Sequence, residues 1–563
     1  MTIDASPHVP DELGDFTATP RMLSIAGLAI AIGAMSAVVA LALLRLIGLF
    51  TNLFFYQRLS TAFVSPAQNR LGLLAALVPV AGGLIIGVMA RYGSDRIRGH
   101  GIPEALEAIL TRGSRVEPKV ALLKPISAAI SIGSGGPFGA EGPIIMTGGA
   151  FGSMIAQLFH LTAAERKTLL VAGAAAGMSA TFSAPIASVL LAVELLLFEL
   201  KPRSFVPVSL ASATAMLVRV PLLGAGPLFS VPSHRAFVGA SGLAASIVVG
   251  LLAGSLAWLM TRSVYASEDL FKRLPLHWMW WPALGGIVVG VGGLIYPRAL
   301  GVGYDTIEAL LRGTLSVHET LQLVVVKWTI WAIFLGSGTS GGVLAPLLMI
   351  GSALGGLAAP WLPDEGTGFW PLVAMGAVLG GTMRSPLTGV VFATELTGDR
   401  NVLLPLLVAS TVAHAFTVLT MRRSILTEKV ARRGFHVSRE YAIDPLEVLF
   451  ARDVMQTALV ELPASQLDEI SAGTCVIAHP DETLTRIVHR MAESGHTELP
   501  VVARHAPGQL VGLVTLTHLL EARRRHLEEE RRRERVLRPS SWLPTVLRPA
   551  AMRAARAPKE DQG

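Results

Sequence analysis

Residues 136–158 read GPFGAEGPIIMTGGAFGSMIAQL, and residues 342–359 read GVLAPLLMIGSALGGLAA. Each opens on Gly, carries a Pro shortly afterwards and continues as an apolar stretch rich in small residues. The likeness continues downstream, where VAGAAAGMSATFSAPIASVLLAVEL from Val171 matches VAMGAVLGGTMRSPLTGVVFATEL from Val373. In both copies a Pro is followed nine residues later by Glu: Pro185 to Glu194, and Pro386 to Glu395. Gly- and Pro-interrupted apolar segments at matching positions in two halves point to a transport site at a repeat interface. Non-helical backbone at membrane depth is tolerated only when it is buried in protein or lines a cavity. The plainer account is that the glycines only let helices pack closely. Sequence alone leaves the relative orientation of the repeats open.

Composition agrees with a membrane protein. Of 563 residues, 52% are hydrophobic and 15% charged, against roughly 25% charged in soluble domains. Residues 426–563 hold 39 of the 87 Lys, Arg, Asp and Glu residues, so the first 425 are very poor in charge. This excludes a soluble enzyme with an ordinary core throughout, and a long disordered chain. The single cysteine, Cys475, excludes an intrachain disulfide framework and a Cys-based metal site. Neither a cofactor nor a metal is expected. The acidic start (Asp4, Asp11, Glu12, Asp15) does not read as a signal peptide.

Charge-free runs predict the spans: Met22–Leu44, Leu71–Ala90, Pro125–Ala140, Gly142–Ala164, Thr168–Val193, Ala236–Thr261, Leu274–Pro297, Trp328–Pro363 and Asn401–Met421. About 20 apolar residues cross a bilayer. Trp328–Pro363 is too long for one span and Pro125–Ala140 is short.

Broken helices favour anions. A helix N-terminus presents unpaired N–H groups and partial positive charge, and glycines let a ligand reach the backbone. Three loops could supply such ends: Gly99-His100-Gly101-Ile102-Pro103, Gly139-Ala140-Glu141-Gly142-Pro143 and Gly342-Val343-Leu344-Ala345-Pro346. They carry few cations, so a small monovalent anion fits better than a multivalent one. Glu141 is the sole charge between Pro125 and Ala164, and a carboxylate inside a membrane segment is a functional candidate by default. Its carboxylate could occupy the anion site itself, and protonation would release it. Glu194 and Glu395 read equally well as helix-end hydrogen-bonding groups. A divalent-cation transporter would need oxygen ligands where these loops offer backbone donors. An intramembrane hydrolase would need a Gly-x-Ser-x-Gly or His-Glu-x-x-His motif, and neither occurs. No enzyme is expected.

With all three loops in order and spacing, residues 22–434 resemble the CLC family of chloride channels and chloride/proton exchangers. The resemblance implies an all-α polytopic membrane fold of two inverted repeats with broken helices, over about 21–220 and 236–425 within a domain at 21–434. It implies a homodimer with a separate chloride path in each subunit. Both termini are expected in the cytoplasm and the protein in the plasma (inner) membrane, with residues 1–20 as a cytoplasmic N-terminal segment. The basic cluster Arg422, Arg423, Lys429, Arg432 and Arg433 agrees with a cytoplasmic C-terminus. Glu141 matches the family's gating glutamate, and Val343 and Leu344 match its backbone anion donors.

Four departures stand out. His100 replaces a serine that contacts the anion, adding a titratable donor. Leu426 replaces a central tyrosine, and Ala140 a basic residue beside the gate. Leu195 stands where many exchangers carry an internal proton-transfer glutamate, which leaves neighbouring Glu194 as the candidate for an internal proton path. Leucine carries no proton, so passive conduction gated by Glu141 is the favoured expectation, with a proton-coupled chloride/proton antiporter the alternative.

Residues 446–522 resemble a CBS module, a small α/β unit of the cytoplasmic side. The helical pattern Leu484, Ile487, Val488, Met491 precedes two β-prone runs, Leu499–Ala503 and Leu510–Thr515. Only one module is clear, which raises pairing across a dimer axis, testable by crosslinking through Cys475. His518 takes the place of the usual ribose-contacting Asp, so a structural or regulatory role is expected before nucleotide binding. Residues 523–563 read as a charged, mobile tail, and with no aromatic residue in 521–538 nucleic-acid binding is not expected.

Overall fold

A computed structural model describes residues 20–231, 233–235, 237–434, 449–457, 476–503 and 509–533. The N-terminal segment to residue 19, Cys475 and the tail beyond 533 lie outside the described residues. The chain divides into two units, residues 1–439 and 440–563.

The first repeat of the membrane unit comprises α1 Arg21–Tyr56, α2 Leu77–Tyr92, α3 Ile102–Thr111, α4 Pro118–Gly133, α5 Glu141–Gln157, α6 Ala163–Phe182, α7 Pro185–Leu191 and α8 Pro202–Leu223. The second comprises α9 Ala240–Lys272, α10 Trp281–Ile295, α11 Tyr304–Leu311, α12 Val317–Gly336, α13 Leu344–Ala358, α14 Phe369–Met383, α15 Pro386–Thr397 and α16 Leu403–Thr420, with α17 Ile425–Arg432 after it. Among the described residues, eight helices are long and apolar enough to cross a membrane. The predicted broken helices are present. The turn Ser134-Gly135-Gly136-Pro137 ends α4, and Ser337-Gly338 ends α12.

Two span predictions need correction, for one reason. The short run at Pro125 is the second half of α4, which passes straight through Lys124; the long run at Trp328 is the end of α12 plus all of α13, and α12 passes through Lys327. Both lysines are fully buried. Each is satisfied by two loop carbonyls: Lys124 Nζ donates to Ile97 O and Gly99 O (2.8 Å each), and Lys327 Nζ to Ala299 O (2.9 Å) and Gly301 O (2.8 Å). The same device occurs once per repeat. Helix α8 was absent from the charge-free runs because Arg219 lies within it, buried, with Nε donating to Ala180 O at 2.8 Å.

The predicted basic cluster is largely engaged. Lys429 pairs with Glu268 (2.9 Å), Arg432 with Asp269, and Arg433 with Glu104 (3.4 Å) and Glu107. These pairs clamp α17 to α9 and α3.

In the second unit, antiparallel β1 Glu498–Val502 and β2 Leu510–Thr515 pack with helices Leu484–Ser494 and Leu516–Arg533 around Leu484, Ile487, Leu499, Val501 and Val514. The last helix runs across residue 523, so the start of the expected tail is helical. Burial would raise the Glu482 carboxyl, but Arg490 (2.9 Å from each oxygen) and the His479 backbone N–H (3.1 Å) outweigh it and hold it below the usual range. A depressed folded value means this stabilisation is present above the unfolded carboxylate range, near 4.3, and is lost as pH falls through the folded value. Hydrogen exchange over residues 479–491 is expected to accelerate on acidification below about pH 4. Glu482→Gln should remove that acid sensitivity at a cost of about 2 kcal/mol. Unchanged acid sensitivity in the variant would assign it to another group.

Candidate functional site

The three predicted loops are stitched together by their backbones. Gly99 N–H donates to Thr339 O (2.8 Å) and Gly341 N–H to Gly99 O (3.4 Å), while Gly139 and Gly342 exchange N–H···O bonds of 3.4 and 3.1 Å. A β-carbon on Gly142 would overlap the carbonyl oxygen of His100, and one on Gly101 would overlap that of Gly142. Gly101 also takes φ 91° as the residue before α3, a conformation in which glycine avoids the strain of a side chain. The consequence is that α3, α5 and α13 begin beside one another. Their first turns contain Pro103, Pro143 and Pro346, where a missing N–H leaves no bond unmade. Three sets of unpaired N–H groups converge, an arrangement suited to a small anion.

Glu141 is the first residue of α5 and fully buried, with no hydrogen bond to either carboxylate oxygen among the described residues. It lies beside the Ala345 backbone N–H of α13, and side chains on Gly139 or Gly342 would run into it. A negative group therefore sits where the helix ends favour negative charge. Ile102, Val343, Leu344 and Leu426 are fully buried around these ends or in α17, which packs on α3. His100 is 2% exposed, and its Nδ1 has no partner among the described residues. The charged groups acting on it are Glu104, Lys124, Glu268 and Lys429.

Glu194 lies elsewhere. Its carboxylate accepts from the N–H groups of Leu387 (3.3 Å) and Thr388 (2.9 Å) and from the Thr388 hydroxyl, capping α15. Glu395 caps α7 in return, accepting from Ile186 (3.1 Å) and Ala187 (2.8 Å). The helix-end reading of both residues fits this arrangement. Leu195 is fully buried. In the second unit, the ring of His518 accepts from the Thr515 N–H at 3.3 Å.

Sequence reading missed four groups around the site: Glu104, whose Oε2 accepts from Gly101 N–H (2.7 Å), and Lys124, Lys327 and Tyr304. Repeat comparison could have found the lysines. Gly99-x-Gly101 before Lys124 is echoed by Gly301-x-Gly303 before Lys327.

The family profile described as "Voltage gated chloride channel" matches residues 82–418, more than half of the chain. The chain belongs to this family, the CLC proteins. A CBS domain profile matches residues 451–525. Relatives of this CLC protein include the "H(+)/Cl(-) exchange transporter ClcA" of Klebsiella pneumoniae, 31% identical over 60% of this chain and 73% of that protein. Another is the "Putative chloride channel protein ClcB-like" of Ralstonia nicotianae, 28% identical over 73% of this chain and 97% of that one. A slow cyanobacterial Cl-/H+ antiporter has the same fold, with TM-score 0.66 at 24% identity, over 74% of this chain and 99% of that one. The predicted fold is borne out, and this CLC protein is an integral, multi-pass anion transport protein rather than an enzyme. The preference for passive conduction is not supported. It rested on Leu195 alone, whereas the relatives include exchangers and the Glu141 carboxyl is buried where the three helix N-termini meet.

Proposed function

We propose that this CLC protein is a proton-coupled chloride/proton antiporter. The observation that carries the reading is the buried, unpartnered Glu141 carboxyl at the meeting of three helix N-termini. A carboxylate there competes with chloride for the same N–H groups, and protonation weakens its hold. Anion entry is thereby linked to proton uptake by one side chain. The site is also occluded: His100, Glu141, Val343 and Leu344 are at most 2% exposed, which suits alternating access better than an open pore. Leu195 removes one proton acceptor and leaves Glu141 intact.

All three loops come from one chain, so each subunit of a homodimer would hold its own path. The cytoplasmic termini and the plasma-membrane location belong to the same reading, and the CBS module is assigned a regulatory or structural role.

In liposomes holding the purified protein, a chloride gradient is expected to drive protons uphill. Glu141→Gln should abolish proton movement while chloride flux persists without its pH dependence. Chloride flux with no proton movement in the unaltered protein would return the reading to a passive channel.

A further inference from the structure

Tyr304 opens α11, at the repeat counterpart of Ile102. The glycine before it, Gly303, has φ 75° and so matches Gly101 before α3. A cavity of about 270 Å³ lies against this turn, lined among others by Thr51, Phe63, Ile132, Phe229 and Tyr304. The tyrosine ring is held by aromatic neighbours on several sides: stacked on Phe63 (6.0 Å between centroids), and edge-to-face with Phe229 (6.0 Å) and Phe182 (6.4 Å). Its hydroxyl is nevertheless buried without a partner among the described residues.

A second unsatisfied polar group, the Glu141 carboxylate, lies within electrostatic reach of the Tyr304 hydroxyl. Lys327 completes the set. Held on the carbonyls of Ala299 and Gly301, it acts on both Glu141 and Asp305. The titratable groups lining this space are Tyr304, Asp305 and Glu308 from α11, and the charges that reach them from neighbouring elements are Glu141 of α5, which acts on Tyr304, and Lys327 of α12, which acts on Asp305. Buried polar atoms left without partners in a well-packed region call for an explanation. Here each group offers what the other lacks, a donor and an acceptor, and the cavity beside Tyr304 gives a side chain room to move.

We propose that Tyr304 is a positioning residue for the gate: its hydroxyl receives the Glu141 carboxylate when that side chain leaves the ring of helix N–H groups, freeing the ring for an anion. This rests on the proton-coupled reading above, and Lys327 supplies the positive field that keeps the displaced carboxylate stable. No covalent bond is made or broken; the carboxylate leaves the positive ends of the helices for a phenolic O–H donor.

The test is Tyr304→Phe, which keeps every ring contact and removes only the hydroxyl. Chloride and proton flux in liposomes across pH 4.5–7.5 should show a rate at least about tenfold lower, the effect of one hydrogen bond to a charged group. The pH midpoint should move upward by about half a unit, because a carboxylate deprived of a donor holds its proton more tightly. In a Glu141→Gln background the same change should have no further effect. A Tyr304→Phe protein with unaltered rate and pH profile would overturn the proposal. So would an equal loss in the Glu141→Gln background, which would tie the hydroxyl to the anion or the fold, and so would a variant that fails to fold. Absence of proton movement in the unaltered protein would instead refute the exchange reading. The pH midpoint of chloride flux in Tyr304→Phe would then still decide the role of the hydroxyl.

Discussion

Gly142→Ala is expected to reduce chloride flux at least a hundredfold. The added methyl would overlap the carbonyl oxygen of His100 and come within 3.2 Å of the Gly342 Cα. Both obstacles are backbone, so no rotamer change relieves them. The His100 loop cannot easily withdraw: Gly99 N–H is bonded to Thr339, the Gly99 carbonyl to Lys124, and Gly101 N–H to Glu104. The three helix N-termini must therefore separate, and misplacement by about 1 Å costs on the order of a hundredfold where binding geometry is set by converging groups. Gly27→Ala is the matched control, since nothing lies within 4 Å of a β-carbon at that helical glycine, and it should leave flux unchanged. Flux assays on both variants, with melting temperatures alongside, check this. Gly142→Ala with normal flux would mean that the loops are not in contact in the working protein.

The contact between these loops was legible in the sequence as far as glycine and proline could mark it. The repeat, the three loops and the lone carboxylate Glu141 all follow from residue types at fixed spacing. The rest was hidden because it depends on which groups burial brings together. A lysine in an apolar pattern reads as the end of a span, since a buried charge is expensive. Lys124 and Lys327 defeat that rule in the same way, by donating to two carbonyls that the preceding loop leaves free. Arg219 defeats it too and concealed α8. The basic cluster holds a second role that its spacing does not reveal. Counted as a topological signal, it includes Lys429, Arg432 and Arg433, whose charges are matched by Glu268, Asp269, Glu104 and Glu107. Tyr304 had no sequence mark at all. Its interest comes from a hydroxyl left unpartnered by packing, which no spacing reveals.

Glu194→Gln and Glu395→Gln are each expected to lower stability by about 2 kcal/mol, and neither is expected to change the ratio of chloride to protons moved. Each carboxylate accepts from at least two successive N–H groups in the first turn of a helix belonging to the other repeat. Such groups have no intrahelical partner, and water is scarce at membrane depth, so an amide side chain with one acceptor oxygen replaces the carboxylate poorly. The positive end of the helix adds to the preference for a charge. The exchange is reciprocal: α7 leads into the turn Ala192–Leu197 that carries Glu194 to cap α15, and α15 carries Glu395 back to cap α7. Because α7 and α15 pack on each other, loosening one cap weakens the other. The double variant should therefore cost less than the sum of the two. Thermal melts of the purified proteins measure the first effect, and the liposome assay, run well below the melting point, measures the second. Additive losses would mean that the caps act independently. A Glu194→Gln protein that melts normally but no longer moves protons would place Glu194 on the proton path, beside the leucine that cannot serve there.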